Sequence, residues 1–213
     1  MTALPRPRPF SARWRRAARV PALALLAAVA SAWPAAAQPV TAAVDTGAST
    51  LAYTGSHALH RWTGTSHHLL GTLTLDLDAP ERSEITLAAP VESFDSGNGQ
   101  RDRKMREAVD ADRYPEVRFV SESVAVERWR RTADGYDGAW RVRGRLTFHG
   151  RTHAVEVPAT VRVRGGRFEA EAAFSLSLDR FGVERPRLVS RVRDTLRLDG
   201  TVRADLPAAT ASR

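Results

Sequence analysis

The chain has 213 residues, enough for one or two domains. It holds no cysteine, which excludes disulfides, thiolate zinc sites and cysteine nucleophiles. With 43% hydrophobic and 26% charged residues it has the composition of a folded protein, so bulk disorder is excluded too. The formal net charge of +8 invites a nucleic-acid reading, and that reading turns on where the charge lies.

Much of it lies at the start. The first 37 residues hold Arg6, Arg8, Arg13, Arg15, Arg16 and Arg19 and no acidic residue. An apolar stretch follows from Val20 to Ala32, then Ala35-Ala36-Ala37 before Gln38. A basic segment, a short apolar segment and an Ala-x-Ala site make residues 1–37 a secretory signal peptide, cleaved after Ala37. The apolar stretch is too short for a comfortable bilayer span, so an uncleaved anchor is the weaker alternative. Setting the six arginines aside leaves 26 basic against 24 acidic residues, which is no nucleic-acid footprint. The mature chain is expected in the periplasm, with no stable membrane insertion after cleavage.

From Ser49 onward the pattern is alternation. Leu73, Leu75 and Leu77 share a parity, as do Ile85 and Leu87. Val142, Leu146 and Phe148 alternate with Arg141, Arg143, Arg145 and Thr147. Val155, Val157, Val161 and Val163 follow, then Phe168 through Leu178, then Leu196, Leu198 and Val202. A period of two with one apolar face marks antiparallel strands half exposed to water. Turn signals at Asp78-Ala79-Pro80, Ala133-Asp134-Gly135, His149-Gly150 and Gly165-Gly166 separate the runs. The expected fold is all-β, an extended antiparallel barrel of about eight strands in up-and-down order. Gly97–Asp112 breaks the alternation with dense charge and predicts a short helix between strands, capped by Asn98 or Ser96 and ended before Tyr114-Pro115. Asp179–Arg191 reads as a long loop. Gln38–Val44 and the tail from Pro207 read as frayed ends, with residues 206–213 a flexible tail.

Two motifs suggest chemistry. Asp45-Thr46-Gly47-Ala48-Ser49 resembles the active-site loop of aspartic proteases, which needs two such carboxylates sharing a proton. Too few residues precede Asp45 to place it, so the favoured reading is a turn into the first strand. His57, His60, His67 and His68 cluster without a carboxylate among them; they read as polar rim residues, with a weak metal site as the alternative. No Gly-x-Ser-x-Gly elbow and no phosphate-binding Gly-rich loop is present.

Further residues carry a family resemblance. Ser93-Phe94-Asp95-Ser96-Gly97-Asn98 leads to Arg101-Asp102, then to Tyr114-Pro115 and Phe119. Val44-Asp45 with Ser49–Tyr53, Gly144–Gly150 with Thr152, and Phe181-Gly182-Val183 with Val192-Arg193-Asp194 follow in order. Together, over residues 44–205, they resemble the YceI-like, polyisoprenoid-binding family. Val109-Asp110-Ala111-Asp112 stands where that family carries two aromatics. The resemblance implies a lipocalin-like barrel whose apolar cavity holds a long isoprenoid chain, with no catalysis and no cofactor. The bound ligand would be a polyprenyl quinone, a polyprenyl phosphate or a similar amphiphile. A homodimer is left open. The alternatives are a filled barrel acting as a stress-related or partner-binding module and, remotely, the protease.

One strand parity is expected to line the cavity, with Tyr53, Leu73, Leu75, Phe119, Phe148, Phe168, Phe174, Leu176, Leu196 and Leu198 as candidates. Asn98, Arg101 and Asp102 are expected at the rim, facing the ligand's polar end. The competing expectation is that Arg101 and Asp102 pair with each other and pin the helix.

Overall fold

The computed structural model describes residues 39–57, 60–184 and 192–207. The signal-peptide reading, most of the expected 179–191 loop and the last six residues lie outside them. The described chain forms ten strands: β1 (Val40–Ala43), β2 (Thr50–Ser56), β3 (Arg61–Ser66), β4 (Leu70–Leu75), β5 (Glu84–Pro90), β6 (Glu116–Arg131), β7 (Gly135–Phe148), β8 (Arg151–Arg164), β9 (Arg167–Ser177) and β10 (Thr195–Asp205). One helix of ten residues, α1 (Gly99–Ala108), separates β5 from β6.

All ten strands belong to one antiparallel sheet in the order β1-β4-β5-β6-β7-β8-β9-β10-β2-β3. The run from β4 to β10 is a sequential meander, as the hairpin signals predict. Gly165 and Gly166, both at positive φ (53° and 79°), make the two-residue turn between β8 and β9. That backbone matches the twist of the flanking strands and is open to glycine at no steric cost.

The all-β antiparallel class is as expected, and the count is ten rather than eight. The two additional strands lack the pattern that reveals a strand. β3 (Arg-Trp-Thr-Gly-Thr-Ser) holds one large apolar residue, and β1 is four residues long. β1 lies within the segment expected to fray and instead pairs with β4, Val40 opposite Leu75. Nor is the sheet a barrel closed by a continuous ladder, because β1 and β3 are its two edges. It is a curled half-barrel, stitched at two points. Beyond β1, Val44 N donates to Gly71 O of β4 and Asp45 N to Arg203 O of β10. Beyond β3, Thr65 and Asp95 exchange backbone hydrogen bonds of 2.8 and 3.0 Å.

The apolar parity turns inward, as the alternation dictates. Leu73, Leu75, Trp140, Val161, Phe168 and Phe181 are almost fully buried. The other parity forms ion pairs across neighbouring strands on the convex face. Arg141 reaches Glu127 and Glu156, and Arg143 bonds Glu156 at 2.8 Å. These two guanidinium groups hold the Glu156 carboxyl below its ordinary range, the Arg143 hydrogen bond foremost.

Candidate ligand-binding cavity

The inward faces do not meet in a solid core. A narrow inner space of about 120 Å³ is walled by apolar side chains, among them Leu73, Phe119, Trp140, Phe168 and Phe174. A larger space of about 660 Å³ lies against α1 and is walled by Tyr53, Phe94, Phe148, Leu176, Leu196 and others. Leu51, Val117 and Leu198 belong to both walls, so the two spaces meet there. The larger volume falls within the usual range of small-molecule pockets.

Helix α1 covers the larger space because its cap and its charged residues are tied down. The Asn98 side-chain oxygen accepts from Arg101 N at 3.1 Å, which satisfies one of the free amides of the first turn. Met105, Ala108 and Val109 line the cavity from the apolar side of the helix. Asp102 is buried and accepts from both the amide and the hydroxyl of Ser96. Arg101 Nε donates to the same Ser96 hydroxyl at 2.9 Å.

Of the thirteen candidate residues, eleven stand in these walls. Leu73, Phe119, Phe168 and Phe174 line the inner space; Tyr53, Phe148, Leu176, Leu196, Asn98 and Arg101 line the outer; Leu198 lines both. The other two stand elsewhere. Leu75 is fully buried but borders neither space; it packs in the solid part of the core, on the strand covered by β1. Asp102 turns away from the cavity toward Ser96, because a buried carboxylate needs donors and the Ser96 amide and hydroxyl supply them. The expected direct Arg101–Asp102 pair is replaced by a link through the Ser96 hydroxyl, which accepts from one and donates to the other.

The polar rim carries two cations, Arg101 and Lys104, beside uncharged polar side chains. Arg101, Lys104, His57 and His60 contribute to the outer wall, where Glu184 is the only acidic residue among the described ones. His57 and His60 face each other, Nε2 to Nε2 at 3.1 Å, across the tip of the β2–β3 hairpin. Opposite parity predicts them apart on a continuous strand; the His57 amide instead donates to His60 O at 3.0 Å, which holds the two side by side. His67 and His68 are exposed and lie outside the wall. Among the described residues no group of three or more His, Asp or Glu side chains is placed to hold a metal ion.

Tyr53 is the most perturbed group of the site. Its pKa is pushed from 10.0 up to about 12, first by burial and then by the nearby Asp102 carboxylate, with Arg101 opposing. The ring lies over Gly64, its cross-strand partner on β3, where an added Cβ would come within 2.5 Å of the ring. Glycine at 64 is therefore the condition for the phenol to lie where it does. Its hydroxyl is buried and has no hydrogen-bond partner.

Asp45 takes the turn role expected for it. Its carboxylate accepts from Arg167 Nη2 at 2.8 Å and from the Ala48 amide at 3.2 Å.

The sequence reading missed several wall residues. Trp140 shares the parity of Val142, Leu146 and Phe148 and could have been found from it. Phe94 falls inside the Ser93–Asn98 turn motif, and Trp62 sits on the strand whose pattern gives no signal.

A match to the YceI-like domain spans residues 43–204. A UPF0312 protein of Pseudomonas putida (strain GB-1) is 32% identical over 158 residues, covering 66% of this chain and 78% of its own. A UPF0312 protein of Pseudomonas syringae pv. tomato is 31% identical over 132 residues, covering 58% and 65%. Among solved structures, BcnA of Burkholderia cenocepacia superposes with a TM-score of 0.66 at 22% identity, covering 76% of this chain and 99% of its own. A polyisoprenoid binding domain from Saccharophagus degradans, implicated in plant cell wall breakdown, gives 0.64 at 16% identity, covering 80% and 100%. At those identities the two structures speak to the fold alone, while the domain match covers most of the chain and agrees with the ordered motifs from Val44 to Asp194: the chain belongs to the YceI-like family.

Proposed function

We propose that the protein is a periplasmic carrier that holds a long-chain isoprenoid, or a lipid of similar shape, in its curled sheet. One observation carries this reading: an apolar interior of about 660 Å³, adjoined by a narrower one of about 120 Å³, opens toward a rim of cationic and polar side chains. An amphiphile matches that arrangement, tail inward and head group at α1. Burial of the tail gains roughly 25 cal/mol for each Å² of apolar surface removed from water, so binding needs few polar contacts and no catalytic group. The name of the Saccharophagus degradans domain, which shares the fold, points the same way. The volume of the outer space argues against the filled-barrel alternative. Export rests on the basic segment, the apolar run and Ala35-Ala36-Ala37.

Mass spectrometry of protein purified from the periplasm of an expressing bacterium tests both parts. The expected result is an intact mass that starts at Gln38 and an isoprenoid in the organic extract. A chain that keeps Arg6–Arg19 would overturn the location, and an extract free of amphiphile would overturn the carrier role.

A further inference from the structure

We infer that the mouth of the cavity is a docking face for an anionic lipid bilayer, with the outward side of α1 set against the lipid phosphates. The choice of a bilayer as occupant rests on the carrier reading, and the test below reads the two apart. Over most of the sheet the arginines are matched: Arg141, Arg162, Arg197 and Arg203 each reach a carboxylate. On α1 they are not. Arg101, Arg103, Lys104 and Arg106 fall within six residues, and none of them makes an ion pair among the described residues. Asp102, the one acid among them, is buried and turned to Ser96. Glu107, Asp110 and Asp112 follow where the helix runs out toward β6, so the stretch from Arg101 to Arg106 presents cations alone.

The position of this charge assigns its partner. Arg101, Lys104, Met105 and Ala108 share the side of α1 that walls the outer space, as residues three and four apart must. Arg103 and Arg106 stand outside that wall, on the side of the helix turned from it. Across the mouth, exposed Arg61 follows His60, and Trp62 lines the wall beside them. Exposed Arg193 lies next to these: its amide donates to Ser56 O at 2.8 Å, and its neighbour Val192 lines the same wall. Cations therefore flank the opening on two sides. The half-buried Trp62 stands between apolar and wet surroundings, the setting tryptophan takes at bilayer surfaces. Each basic residue near an anionic leaflet is drawn to its surface potential. That attraction fades within about 10 Å at 0.1 M salt, so only a face that meets the bilayer gains from it. Docked in this way, the mouth faces the leaflet, and a tail passes from bilayer to cavity with little exposure to water.

The test measures co-sedimentation of the mature chain with vesicles of phosphatidylcholine, alone or with an equal part of phosphatidylglycerol. Uptake of a short-chain prenyl quinone is followed separately, in vesicle-free buffer, by tryptophan fluorescence. Two double variants remove the same charge in different places. Arg103→Gln with Arg106→Gln changes the outward side of α1. Arg128→Gln with Arg130→Gln changes the far end of β6, where both arginines are exposed, without an ion pair and outside either cavity wall. Expected is wild-type binding to the anionic vesicles only, abolished by high salt. The α1 variant should bind them roughly thirtyfold more weakly, about fivefold for each charge removed, and the β6 variant as wild type does. Both variants should take up the quinone and melt as wild type. An equal loss in the two variants overturns the docking face, because net charge alone would then explain binding. Wild type that leaves the anionic vesicles unbound, or binds the neutral ones equally, overturns it as well. If wild type binds the anionic vesicles but no quinone, the carrier reading fails and the docking face stands on the vesicle result.

Discussion

At Tyr53 the sequence places a polar atom where packing asks for none, and the consequence can be measured without any ligand. Its pKa in the folded chain is about 12 against an ordinary 10.0, because burial and Asp102 both disfavour the phenolate. Between those values the folded chain keeps a proton that the unfolded chain releases. Stability therefore falls as pH rises through the window from 10 to 12, and below that window the group has no effect on the pH dependence. The loss grows to on the order of 2 kcal/mol at its upper end. Urea unfolding at pH 9 and near pH 12 should show wild type losing more stability than Tyr53→Phe over that interval. Equal losses would mean that Tyr53 ionises as freely in the folded chain as in the unfolded one.

Among the elements, α1 decides what the mouth of the cavity presents. It is a short helix rich in charge, and helices of this length are marginal without tertiary support. Asn98 at its cap and Ser96 between Arg101 and Asp102 supply part of that support. Asn98→Ala should lower stability by about 1 kcal/mol, the usual cost of losing such a cap. Because Arg101 and Lys104 ride on this helix, the variant should also weaken binding of a prenyl phosphate. Thermal melts and titration of that probe check the two effects; a phosphate affinity equal to wild type would detach the rim cations from the head group.

This element was legible in the sequence because it interrupts a strong period of two, and Asn98 announced its start. The strands of the meander were legible for the opposite reason, their apolar parity being unbroken from Phe168 to Leu178. β1 and β3 were not, since neither carries enough alternating apolar residues to signal a buried face, and their pairing is imposed by neighbouring strands. The cavity was legible only in part. Parity tells which side chains point inward; it does not tell which of them stand beside empty space, a property of curvature and of the volumes opposite. Leu73 and Leu75 share one parity and one strand, yet only Leu73 borders the cavity. Asp102 escaped for a related reason: its charge suggested the rim, while its partner Ser96 is fixed by the turn before the helix.

For the whole molecule, the two adjoining spaces make affinity a function of ligand length. A short isoprenoid can be held by the outer space alone. A longer one gains further burial only by passing Leu51, Val117 and Leu198 into the inner space of about 120 Å³. Each additional buried methylene is worth about 0.8 kcal/mol, so the first units to enter should raise affinity by more than tenfold. Phe174 borders the inner space and not the outer. Phe174→Trp places a larger ring where the tail would end. Inserting volume into a packed region costs about 1–3 kcal/mol, and here the adjacent space relieves part of that strain. Titration with a series of prenyl quinones of increasing length should give a wild-type affinity that climbs and then levels off. In Phe174→Trp the short members should bind as in wild type and the climb should stop earlier. A variant that weakened every member by the same factor would mean that the tail does not reach Phe174, and the outer space would then be the whole of the binding site.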